Sequence, residues 1–110
     1  MTMIAVTGDG MGQGDAELGR RLITKFLGQL ATLPDKPQLV AFYNAGVRLL
    51  LRSSPAIEAI RTLEADGVEV IACGTCVEHF GIASELGAGR VSDMREIASS
   101  MLSASKVVTV

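Results

Sequence analysis

Compact apolar runs alternate along the chain with wider-spaced apolar stripes, and the two patterns predict different elements. "MIAVT" (3–7), "QLVAFYN" (38–44), "VEVIAC" (68–73) and "KVVTV" (106–110) are short runs bounded by glycine, proline or polar residues, as strands are. From Asp15 to Leu33 the residues Leu18, Leu22, Ile23, Phe26, Leu27 and Leu30 recur at helical spacing, with Asp15 as the N-cap and "PDKP" as the stop. Gly19 and Gly28 inside that helix each cost about 1 kcal/mol relative to alanine, so close packing is their expected purpose. "AGVRLLLRSS" carries the chain to Ser54-Pro55, an N-cap followed by proline at the first helical position. Ile57, Ile60 and Leu63 form the face of this second helix, and Gly67 ends it. A turn at "GTC" leads into a short helix over "VEHFGIASEL", interrupted by Gly81. "GAGRVSD" is a glycine loop with a very short strand at Arg90-Val91. Asp93 and Glu96 then have capping-box spacing ahead of a helix striped by Met94, Ile97, Met101 and Leu102.

Strands alternating with helices through short loops predict an α/β fold with a mainly parallel sheet of four to five strands. No repeat, low-complexity tract or linker divides the chain, so residues 1–110 read as one domain. In such sheets ligands bind beyond the carboxyl ends of the strands. Those ends carry "GDGMGQG", then Asn44, then Cys73, so the three least ordinary segments are expected on one edge.

Composition narrows the function classes. Hydrophobic residues make up 48% with no Trp and only 4% aromatics, which predicts an aliphatic core and places some apolar surface between subunits. The formal charge is −2 and no basic stripe exists, which argues against a nucleic-acid platform. Arg20-Arg21 and Arg48/Arg52 read as solvated faces. No uncharged apolar run approaches the roughly 18 residues of a membrane span. No basic region precedes the first apolar run, so a secretory signal is not expected. The expectation is a cytoplasmic protein without membrane or nucleic-acid partners, whose cysteines stay reduced unless they take part in redox or sulfur chemistry.

Both cysteines lie in "ACGTCVEHFG", with the single histidine, His79, three residues beyond Cys76. Four readings are open. A thiol between strand end and helix start feels unpaired backbone N–H groups that favour a thiolate, which suits a sulfur nucleophile. Cys-x-x-Cys also suits a reversible disulfide, although the flanking tryptophan common in thioredoxins is missing. A zinc site would draw on Cys73, Cys76 and His79, but no second cysteine pair completes it, and no metal is expected. Two buried small hydrophobes are the plainest reading; the flanking glycine and the strand-end position count against it. His79 alone reads as a structural or surface residue. No register of the first glycine loop gives G-x-G-x-x-G and no P-loop lysine follows, so no nucleotide cofactor is expected. That loop reads as a lip over the cysteine site, with Gly10, Met11 and Gly12 at its centre.

"TGDGMGQGDAELGRRLITKFLGQL", "AFYNAGVRLLLRSSPAIEAIRTLEADGVEVIACGTCVEHFGI" and "GRVSDMREIASSMLSASKVVTV" resemble the DsrE/DsrF-like family over essentially the whole chain. Within it they resemble most the C-terminal domain of YedF-type proteins associated with selenium metabolism. The combination of the G-x-G-D loop, N-x-G-V and C-G-T-C carries the resemblance. It implies a three-layer α/β/α, DsrE-like fold, a sulfurtransferase-like activity without a cofactor, homo-oligomers, and a TusA-like carrier or other persulfide donor as partner. The family's nucleophile spacing, eight residues before a glycine, selects Cys73 with Gly81, and Cys76 becomes the second thiol. Asn44 would then orient or hydrogen-bond the sulfur species, and Gly74 and Thr75 would offer backbone donors. The expected function is a relay that accepts sulfane sulfur on Cys73. The alternatives are a non-catalytic oligomeric subunit of a sulfur or selenium pathway and a thiol–disulfide protein.

Overall fold

The computed structural model describes residues 1–110. Five strands form one parallel sheet: β1 (Thr2–Val6), β2 (Leu39–Phe42), β3 (Glu69–Cys73), β4 (Arg90–Ser92) and β5 (Lys106–Thr109), in the order β4-β3-β2-β1-β5. β1, β2 and β3 are central and nearly continuous in apolar residues, because both of their faces are covered. The register sets Val6 beside Phe42, Phe42 beside Ala72, and Cys73 beside Ser92. The ends of β1, β2 and β3 therefore open onto one edge, as the strand pattern predicts.

Four α-helices connect the strands: α1 (Ala16–Leu30), α2 (Ile57–Ala65), α3 (Gly74–Phe80) and α4 (Met94–Ser103). From β1 to β4 the chain moves steadily across the sheet, then returns past β1 to β5. Right-handed crossovers therefore put the first three connections on one face and α4 on the other. The packing agrees. Twenty buried residues, among them Val6, Phe42, Ile23, Ile60 and Ala72, form the core on the first face, while six, Met3, Leu39, Ala41, Ile71, Cys73 and Ile97, form the core under α4.

Local chemistry explains most boundaries. The Asp15 carboxylate accepts the Leu18 amide at 2.8 Å and caps α1. Gly19 is buried against the 8–14 loop, where a Cβ would stand 3.3 Å from the Met11 carbonyl oxygen; at Gly28 there is open space, so packing explains only the first of these glycines. Leu18 and Leu22 are 49% and 41% exposed, so the buried stripe of α1 is narrower than its apolar pattern. α2 begins two residues later than Ser54-Pro55 implies: the Ser54 hydroxyl and carbonyl accept the amides of Ala56 and Ile57, forming a turn before the helix. Residues Asn44–Leu50 wind into a 3-10 helix rather than a plain connection. "GTC" is likewise not a turn but the first turn of α3, which ends at Gly81 in a left-handed conformation (φ 64°). In α4, Asp93 accepts the Glu96 amide, but only Ile97 is fully buried, while Met94 and Leu102 stay exposed.

Candidate functional site

The cysteine edge is assembled from three strand ends. Cys73 is the last residue of β3 and its side chain lies on the α4 side of the sheet, packed with Ile71 and Ile97 at 1% exposure. Cys76 sits in the first turn of α3, is half-buried, and packs against both cores. Both thiols are free. One is sealed and the other is only half-buried.

The residue that engages Cys76 follows β2. The backbone N–H of Asn44 donates to Cys76 Sγ at 3.0 Å. Asn44 is the only non-glycine residue with positive φ (51°), a conformation that asparagine tolerates better than most side chains. Its Oδ1 accepts the Ala45 amide at 2.8 Å, so the side chain stabilises this bend and the main chain serves the sulfur. Gly46 lets the bend approach β1: any Cβ there would overlap the Val6 carbonyl oxygen. The N-x-G spacing is thus one device, in which glycine permits the approach and asparagine turns an amide toward Cys76.

Electrostatics at the pair oppose one another. Burial pushes the Cys76 thiol up, a hydrogen bond with Cys73 and the charge of Cys73 push the same way, and the Asn44 N–H pulls it down. The net direction is upward. Cys76 therefore rests as a thiol more than an isolated cysteine does, and the Asn44 donor favours the anion once it forms.

The other expected site residues divide into two groups. Gly74 directly follows Cys73, and a Cβ there would be 2.7 Å from the Ser92 carbonyl oxygen, so its smallness admits β4. Thr75 is exposed in the first turn of α3, and Cys73, the N-cap, makes no side-chain capping bond. The glycine loop meets this edge at its start, where the Gly8 amide lies beside Gly46 and Asp9 Oδ2 is 4.0 Å from Arg48 Nη1. Its centre turns away: the Met11 amide donates to the Gly19 carbonyl at 2.9 Å and Gly10 packs on Gly19, while a Cβ on Gly12 would meet nothing within 4 Å. Gly10, Met11 and Gly12 thus rest on or beside α1 rather than on the sulfurs. His79 is exposed and meets the Phe80 ring edge-on at 5.0 Å. No group of three His, Cys, Asp or Glu side chains gathers where it could hold a metal ion.

Arg48, which the sequence presents as part of a solvated face, is instead engaged beside the site. Its guanidinium lies 4.3 Å above the Phe80 ring, one turn along α3 from Cys76, just as Arg48 lies about one turn beyond Asn44. The 3-10 helix and α3 therefore meet at two rungs, Asn44 on Cys76 and Arg48 on Phe80. The only sequence signal was the matching four-residue spacing in the two segments.

Comparison with known proteins sets this arrangement among relatives. Residues 3–110 match the model of the DsrE/DsrF-like family. None of the curated proteins compared matches the sequence. Among solved structures, the YchN protein of E. coli has 24% identity and a TM-score of 0.66, with 100% of each chain covered. MTH1491 of Methanobacterium thermoautotrophicum has 20% identity and a TM-score of 0.70, over 99% of this chain and 97% of that one. BT1422 of Bacteroides thetaiotaomicron has 16% identity and a TM-score of 0.65, over 98% and 94%. At these identities the structures share the fold. No helix is long and apolar enough to cross a membrane.

Proposed function

The chain belongs to the DsrE/DsrF-like family, and from that premise we propose that it is a sulfur-relay domain working through Cys76 and Cys73. The observation that carries this reading is the amide of Asn44 held on Cys76 Sγ, with a second thiol beside it. An N–H aimed at sulfur stabilises a thiolate, and it would serve a terminal persulfide, which is also anionic.

Accessibility favours a particular order. The family resemblance implies that Cys73 attacks first, but Cys73 is sealed under α4 while Cys76 is only half-buried. Cys76, deprotonated to solvent, attacks the outer sulfur of a donor persulfide. The new S–S bond forms on Cys76, the donor's S–S bond breaks, and the donor leaves as a thiolate; no net oxidation occurs. Cys73 then acts as the inner thiol. Attack on the outer sulfur moves the persulfide to Cys73. Attack on Cys76 Sγ expels hydrosulfide and leaves a Cys73–Cys76 disulfide, which a cellular dithiol resets. A TusA-like carrier is the partner this chemistry suits, and a YedF-like role in selenium metabolism is the finer form of the same proposal. Homo-oligomerisation in the cytoplasm belongs to that finer form, and the exposed Met94 and Leu102 on α4 support it.

Intact-mass measurement after incubation with a small persulfide donor tests the order. Wild type should gain one sulfur atom, Cys73→Ser should still gain it, and Cys76→Ser should not. Loss of the adduct in Cys73→Ser with retention in Cys76→Ser would reverse the order. No adduct on wild type, together with a well-defined dithiol–disulfide equilibrium, would replace the relay with a thiol–disulfide protein, which the adjacency of the two sulfurs also supports.

A further inference from the structure

Most cations that reach an acidic group do so away from the cysteine edge. Lys36, Arg61 and Arg90 each hold a carboxylate within 3.6 Å, and Arg48 reaches Asp9 only at 4.0 Å. Arg20, Arg21 and Lys25, all on α1, hold none. They line an open cleft between α1 and Pro55. Arg20, Thr24 and Pro55 are shared with a second cleft of about 230 Å³, where Arg48 and Ser53 join them. Two acids, Glu17 and Asp9, stand against four cations, so this surface is net positive on a chain of formal charge −2.

The same helix exposes Leu18 and Leu22, at 49% and 41%. With Arg21 and Lys25 they follow i, i+3, i+4, i+7 spacing, so one outward face of α1 mixes leucine and cation. A merely solvated face has no use for two leucines one turn apart. Through Arg48, which is stacked on Phe80, the surface comes within one turn of α3 of Cys76. A small oxyanion fits less well. The Thr24 hydroxyl is spent on the Arg20 carbonyl and the Ser54 hydroxyl accepts the Ala56 amide, which leaves an open surface rather than a ligand cage.

We infer that the Leu18–Arg21–Leu22–Lys25 face of α1, continued by Arg20 and Arg48, docks an acidic amphipathic segment of the protein that delivers the persulfide. This rests on the sulfur-relay reading. The leucines take the segment's apolar stripe, the cations take its carboxylates, and Arg48 lies between the docked segment and Cys76. Charge complementarity of this kind raises encounter rates and weakens as salt screens it.

The test uses two synthetic amphipathic peptides of equal length, each with one cysteine persulfide, one Leu/Glu-patterned and the other Leu/Lys-patterned. Wild type and the Arg20→Glu/Arg21→Glu/Lys25→Glu variant are compared, with N-acetylcysteine persulfide as a small donor and fluorescence anisotropy of the reduced peptides for binding. On wild type the acidic peptide should transfer sulfur at least about tenfold faster than the basic one. That advantage should vanish in the variant and shrink in high salt, while the small donor reacts alike with both proteins. Equal peptide rates on wild type would overturn the docking surface, and so would loss of acidic-peptide binding in millimolar inorganic phosphate at constant ionic strength. If no donor transfers sulfur to wild type, the relay reading fails, and anisotropy still judges the surface by itself.

Discussion

The two faces of the sheet are built to different standards. On one, α1, α2 and the 3-10 helix close a core of twenty buried residues; on the other, α4 covers six, joined only at the edge by Tyr43 and Cys76. Phe42 and Cys73 occupy neighbouring strands on opposite faces, and both are essentially buried. What stands over them differs. Phe42 lies beneath several elements, whereas Cys73 lies beneath one helix that commits one fully buried side chain, Ile97. The thick face is scaffold and the thin face is a cover, so opening the cover should cost far less than unfolding the scaffold.

Substitutions on each face break or sharpen that contrast. Phe42→Ala should destabilise the whole domain by about 3–5 kcal/mol, read by urea unfolding, because the surrounding elements cannot collapse into the space. Ile97→Ala should cost less, about 2 kcal/mol, because α4 can settle onto the sheet. It should also speed alkylation of Cys73 in urea too dilute to unfold the protein. If Cys73 labels only in step with global unfolding in both variants, the two faces are equally firm and the contrast is wrong.

A smaller effect is expected where the faces meet, at Asn44. Asn44→Ala should lose about 1–2 kcal/mol, since alanine resists the left-handed backbone that asparagine adopts. It should also move the pH profile of Cys76 alkylation to higher pH, because the amide no longer points at the sulfur. Asn44→Gly should keep the wild-type profile, as glycine accepts that backbone. An unchanged profile in Asn44→Ala would show that the hydrogen bond does not set thiol reactivity.

The smallest effect concerns the tether of α4. Arg90 beside Glu96, and the Ser92 hydroxyl that also reaches it, pull the Glu96 carboxyl down to about 2 from an ordinary 4.5. A lowered carboxyl stabilises the fold above its unfolded value and loses that contribution as pH falls from about 4.5 toward 2. Because the pair is well solvated, the loss should be below about 1 kcal/mol. Glu96→Gln should flatten the stability profile across that acid range; an unchanged slope would remove the tether from the account.

The parallel sheet and the edge where its central strands end were legible because buried strands announce themselves as apolar runs and their order fixes where their ends fall. The caps at Asp15 and Asp93 were legible for an equally local reason, a short side chain three residues ahead of the amide it accepts. Four features escaped a linear reading. Leu18 and Leu22 belong to a helical stripe, yet burial depends on which neighbours exist, and none stands over them. "GTC" looks like a turn because glycine and threonine favour loops, but it is the first turn of α3, and the glycine is there because β4 leaves no space for a Cβ. The nearness of Asn44 to the cysteines was legible but not its means, since no sequence pattern separates a side chain that touches sulfur from one that aims its own amide. The relative depths of Cys73 and Cys76 were hidden too, because they follow from the face each side chain takes.

The depth of Cys73 bears on how long a captured sulfur could last. Persulfides are short-lived among cellular thiols because any small nucleophile in the bulk can strip them. A sulfur moved from Cys76 to Cys73 would sit beneath α4, insulated from such scavengers while remaining within reach of the one thiol beside it. The thin cover would then act as a timer, its opening rate setting how quickly stored sulfur leaks away.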